Sequence, residues 1–125
     1  MSSMIQLGEL MRAHNADYLG GEFVRVGEAS PEVIKYLMSG LVVGMFFVYN
    51  DDQVDPSRVG PGGNVEWYTD GEWLWPNILA YYVREYDFPI PLAFYEYMIA
   101  CSWTIPSSIP PERHELFSAM LLGRE

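Results

Sequence analysis

The sequence holds 125 residues, half of them hydrophobic and 19% charged. That excludes intrinsic disorder, which goes with few apolar side chains, and it suffices for one domain whose core needs neither disulfide nor metal. Seventeen acidic against seven basic residues leave a net charge of −10, which argues against direct nucleic-acid binding, since phosphate contacts need clustered Lys and Arg.

Taken in chain order, Ser3 and Gln6 stand at capping-box spacing, and Ile5, Leu7, Leu10 and Met11 recur with helical periodicity up to His14-Asn15. Gly20-Gly21 reads as a turn and Phe23 to Val26 as a short strand. Ser30-Pro31 predicts a helix start, with Ser as N-cap and Pro at the first helical position, where no amide bond is lost. Val33, Ile34, Leu37 and Met38 form its apolar stripe, and Gly40 falls where a left-handed C′ residue ends such a helix. Leu41 to Tyr49 is apolar almost throughout and predicts a central strand covered on both faces. The Asn50–Gly63 stretch, with Pro56, Gly60, Pro61, Gly62 and Gly63, is a loop long enough to be a functional surface.

Val65 to Thr69 predicts a strand, Asp70-Gly71 a type I′ hairpin turn, and Glu72 to Trp75 the returning strand, with Trp73 and Trp75 on one face. Pro76 is expected to begin a helix with Ile78, Leu79, Tyr82, Val83 and Tyr86 inward and Arg84 and Glu85 outward. Pro89 and Pro91 break it. A third helix, Pro91 to Cys101, is apolar nearly all round and hence expected to be well buried, and a proline-rich connector leads to a last helix, Glu112 to Leu122, with Leu116, Met120 and Leu121 inward. The whole predicts a single α+β domain over residues 1–125, in which a small antiparallel sheet of about three to four strands packs against four to five helices.

No catalytic motif emerges. Asp51-Asp52-Gln53-Val54-Asp55 has the spacing with which helical prenyl-transfer enzymes hold magnesium-bound diphosphate, but it lies in a Pro/Gly loop with no second acidic motif, so it reads as a solvated acidic loop rather than a metal site. Gly60-Pro61-Gly62-Gly63 lacks the Lys-Ser/Thr that a phosphate loop needs. His14 and His114 fall on separate predicted helices, without a ligand at metal-site spacing. Cys101 could pair with His114 only if it were not buried, as free cysteines usually are. Neither metal nor cofactor is expected. The four Trp, nine Tyr and six Phe are read first as core and second as partner contacts. A Trp/carboxylate surface for carbohydrate binding or hydrolysis, and a structural adaptor that self-associates through the 92–101 helix, remain as alternatives.

Charge is the informative feature. Between Asp51 and Trp75 stand six acids (Asp51, Asp52, Asp55, Glu66, Asp70, Glu72) against Arg58, a net of −5, while the other hundred residues hold eleven acids and six bases. Half of the excess charge thus sits in a fifth of the chain, a patch of the kind that steers a basic partner to fast encounter.

Thr69-Asp70-Gly71-Glu72-Trp73-Leu74-Trp75-Pro76, followed by Leu79 to Val83 and then by Ile90-Pro91 and Phe94, resembles a pattern in small acidic bacterial proteins linked to toxin-immunity genes. The lead-in from Ser30-Pro31 through Tyr36-Leu37 to Gly40 belongs to the resemblance, which spans roughly Ser30 to Trp103. It implies no catalysis and no fixed binding residues, but a cytoplasmic antidote that binds a cognate toxin domain. The charge pattern then nominates Asp51, Asp52, Asp55, Glu66 and Glu72 as the partner-facing acids, with Trp67 or Tyr68 as an aromatic anchor. The opening residues carry no charged stretch ahead of an apolar run, the nine residues from Leu41 to Tyr49 are less than half a membrane span, and a single Cys101 suits a reducing compartment. A cytoplasmic monomer or weak homodimer, away from membrane and nucleic acid, is expected.

Overall fold

In the computed structural model the described residues are 21–46 and 65–121, with Val54, Asp55, Ser57 and Gly60 between them. The helix expected after Ser3 and the acidic pair Asp51-Asp52 lie outside that set. Within it the chain is α+β. Strand β1 (Phe23–Val24) is followed by a 3₁₀ turn (Gly27–Ala29), helix α1 (Ser30–Leu37), and strands β2 (Leu41–Phe46), β3 (Val65–Thr69) and β4 (Leu74–Pro76). Helix α2 (Ile78–Tyr86), strand β5 (Ile90–Pro91) and helices α3 (Leu92–Ala100) and α4 (Pro111–Leu121) complete it. Strands β2, β3 and β4 form an antiparallel sheet in that order, and β1 pairs with β5 in a second, two-stranded one.

Helix α1 starts at Ser30, with Pro31 in its first turn. The cap differs from expectation: the 3₁₀ turn runs straight into the helix, so Ala29 holds the cap position without a side-chain bond and Ser30 is already helical. Val33, Tyr36 and Leu37 are its buried face. Gly40 is needed for space rather than for a left-handed cap. A Cβ there would stand 2.6 Å from Tyr68 Cβ and 2.7 Å from Trp75 Cζ2, atoms that the strand backbone and a packed indole hold in place.

Strand β2 is the outer member of the described sheet, not its centre, since β3 lies between it and β4. Its apolar run therefore does not guarantee burial, and Val42 and Met45 are exposed. The β3–β4 hairpin forms, but with Thr69 opposite Leu74 its connection is the four residues Asp70–Trp73. Only Gly71 among them has positive φ, at 100°, so the two-residue type I′ turn is replaced by a longer turn built on side chains. Pro76 closes β4 opposite Trp67 instead of opening the helix, which starts at Ile78.

Helix α2 buries Leu79, Ala80, Tyr82 and Val83 and exposes Arg84 and Glu85, as its periodicity requires. It ends at Asp87, in a left-handed conformation (φ 51°) that Asp tolerates better than most residues. Helix α3 departs from expectation: only Phe94 and Met98 are buried, and Ile99 is 49% exposed. Among the described residues three other helices are too few to cover it on every side. Helix α4 buries Phe117, whereas Leu116, Met120 and Leu121 are half-covered.

The core is aromatic. The ring of Phe94 lies 4.9 Å from Trp73, 5.2 Å from Trp75 and 6.2 Å from Tyr36, centroid to centroid, separations at which rings attract beyond the area they bury. Trp75, without exposure, donates its Nε1–H to the carbonyl of Leu37 at 2.9 Å. That bond ties the last strand to the end of α1 and satisfies both polar groups inside the core.

Candidate functional site

The segment from Thr69 to Trp73 is a hydrogen-bonded knot. The Asp70 carboxylate, 2% exposed, accepts at Oδ1 from the amides of Glu72 (2.9 Å) and Trp73 (2.7 Å), the Asx arrangement that makes Asp favourable before Gly. Its Oδ2 accepts from the Tyr36 hydroxyl at 2.5 Å, reaching across to α1. Thr69 Oγ1 donates to the carbonyl of Trp73 (2.7 Å) and accepts from the amide of Gly71 (2.9 Å). From α4, Arg113 Nε donates to the carbonyl of Gly71 (2.9 Å), while Nη2 pairs with Glu72 at 3.3 Å. The residues that carry the resemblance are thus bound to one another and to two helices, and their arrangement explains the motif as scaffold.

Burial pushes Asp70 above the ordinary carboxylate range, against hydrogen bonds from Tyr36, Trp73 and Glu72 that pull it down. Tyr36 is driven far up, first by burial and then by the Asp70 carboxylate. Tyr97 is raised by burial, by its hydrogen bond with Cys101 one helical turn on, and by the charge of Asp70. Tyr68 is pushed up to about 12, by burial and by its bond to Glu66. A tyrosine whose folded-state value is raised stabilises the fold below its unfolded value near 10, and that stability is lost as pH climbs through the folded value. The urea midpoint should therefore fall steeply between pH 9.5 and 11, and tyrosinate absorbance should lag behind that of the unfolded chain. A midpoint level across that range would contradict the buried phenols.

Of the sequence-nominated residues, Asp55, Glu66, Trp67, Tyr68 and Glu72 are among the described ones. Asp51 and Asp52 lie outside the described residues. Asp55 Oδ1 accepts from the amide (3.1 Å) and the hydroxyl (2.6 Å) of Ser57, a local turn. Glu66 and Tyr68 share one face of β3, and the Tyr68 hydroxyl donates to Glu66 Oε1 at 2.8 Å, while its half-buried ring packs against the core. Trp67, also half-buried, points to the other face by strand alternation, between Gly44 and Pro76 in register. Glu72 faces Arg113 across the turn. The sequence presents Asp70 as a turn residue and as one of the six acids of the patch, and nothing in it points to Tyr36, Tyr97 and Arg113 as its surroundings. The Thr-Asp-Gly order was a signal for the side-chain turn, but nothing local announces contacts made across 34 or 41 residues.

Of the four Trp, Trp73 and Trp75 are buried, while Trp67 and Trp103 are half-buried. Among the described residues no three His, Cys, Asp or Glu side chains come together as a metal site, and no helix is long and apolar enough to cross a membrane. No family model, no curated protein and no solved structure matches the chain.

Proposed function

We propose that this protein is an immunity-type inhibitor that binds a cognate bacterial toxin domain in the cytoplasm and neutralises it by filling a basic cleft with an acidic surface. The reading rests on one observation: half of the net charge of −10 falls between Asp51 and Trp75. Toxin domains that act on nucleic acids or nucleotides have positive clefts, and an acidic loop imitates the phosphates bound there. Asp70 is turned inward and Glu72 is engaged by Arg113, so the reading leans on Asp51, Asp52, Asp55 and Glu66. The hydrogen-bonded hairpin that resembles immunity proteins then supplies rigidity rather than contacts.

The experiment is to express the toxin-like reading frame beside this gene with and without the chain, and to measure growth and complex formation. Co-expression should restore growth. Replacing Asp51, Asp52 and Asp55 together by Asn should slow association at least tenfold at low salt and flatten its salt dependence. Absence of both rescue and complex would remove the immunity reading, whereas rescue with an unchanged association rate would exonerate the loop.

A further inference from the structure

In a regular strand, residues three apart point to opposite sides of the sheet. Strand β2 is not regular. Val42 opposes Tyr68, Gly44 opposes Trp67 and Met45 opposes Glu66, which leaves Val43 as the extra residue of a bulge. The bulge turns Val42 and Met45 onto the same side, the one that carries Tyr68 and Glu66. At the β4 end this side is sealed by the core around Trp75. At the β2 end it is not: Val42 is 52% and Met45 44% exposed. The opposite side, at Gly44, lies against α4, where a Cβ would come within 2.8 Å of Leu121 Cδ1.

We propose that this side of β2 and β3 is a docking face for a basic protein partner, with Val42 and Met45 as its apolar centre and Glu66 on its rim. Charge complementarity selects the occupant. Glu66 stands opposite Met45 and accepts from the Tyr68 hydroxyl on the same face, and the whole chain carries seventeen acidic against seven basic residues. A second copy of this chain would bring another net charge of −10 to the same face. Apolar side chains desolvated inside a polar rim carry most of an interface's affinity, and Met adapts its shape to what it meets. The acids would then set how fast a partner arrives, and Val42 and Met45 how long it stays. This deepens the immunity reading, on which it rests in taking the partner to be basic.

The test uses the full chain and a synthetic amphipathic helical peptide of Leu and Lys, followed by calorimetry, with a Leu/Glu peptide of the same pattern as control. The Leu/Lys peptide should bind. The double substitution Val42→Ser with Met45→Ser should weaken it at least tenfold without moving the urea midpoint, and Met45→Lys alone should do the same by repulsion. Equal binding to wild type and variants, no binding to wild type, or equal binding of the Leu/Glu peptide would overturn the proposal. A dimer in sedimentation that the double variant dissolves would assign the face to a second copy and overturn it as well. Peptide binding at this face without inhibition of the neighbouring toxin would sink the immunity reading alone. Inhibition by variants that bind the peptide as wild type does would sink the docking face alone.

Discussion

Replacing Asp70 by alanine should lower the unfolding free energy by roughly 3–5 kcal/mol, a large part of what a domain of this size possesses. The substitution takes away the acceptor of three donors at once, the amides of Glu72 and Trp73 and the hydroxyl of Tyr36. Trp73 and Tyr36 are buried too deeply for water to replace it easily, and each orphaned donor costs about 1–3 kcal/mol. Urea titration followed by Trp fluorescence measures the effect. In the Asp70→Ala background, Tyr36→Phe should cost much less than in wild type, because the hydroxyl has already lost its acceptor. If the two substitutions simply add, the bond across to α1 is not what holds the turn. Asp70→Asn keeps the shape and isolates the charge. Because burial raises the Asp70 value above 3.8, its stabilising contribution is complete below that pH and is lost as pH rises through the folded value. Wild type should therefore gain stability relative to Asp70→Asn on acidification from neutrality towards pH 4, and the opposite trend would show that the hydrogen bonds outweigh desolvation.

The second large effect is expected at Phe94. This residue has no solvent exposure and is the ring that Trp73, Trp75 and Tyr36 all face. Truncating it to alanine removes the transferred area and leaves a void that three packed rings cannot close without leaving their rotamers, a loss of about 3–5 kcal/mol. For a chain of this length that is a fall in Tm on the order of 15 °C, with loss of the near-ultraviolet dichroism that the ordered indoles produce. Phe94→Leu, which keeps more of the volume, should cost less than half as much. Equal effects of the two substitutions would mean that the cavity does not govern the loss. Neither variant touches the acidic stretch, so at temperatures where they remain folded both should meet a basic partner at the wild-type association rate.

Part of this protein is legible in its residues alone. Ser30-Pro31, the 3.6-residue stripe of α2 and the Asp-Gly between two β-rich runs are local signals, and a helix, a helix and a hairpin form there, although the hairpin's connection is four residues long and α2 begins at Ile78 instead of Pro76. Such signals work because backbone preference and amphipathic period act over a few neighbouring residues. The concentration of acids between Asp51 and Trp75 is equally a property of the sequence. Tertiary structure alone decided which apolar segments are covered: the runs in β2 and α3 are apolar at nearly every position, yet β2 is the outer strand of the described sheet and α3 shows a side to solvent. It alone turned Asp70 from a surface charge into a brace, by bringing Tyr36 to it from α1. And it alone set Val42 and Met45 on one face, because a bulge exists only in the register between two strands and leaves no mark on either one by itself.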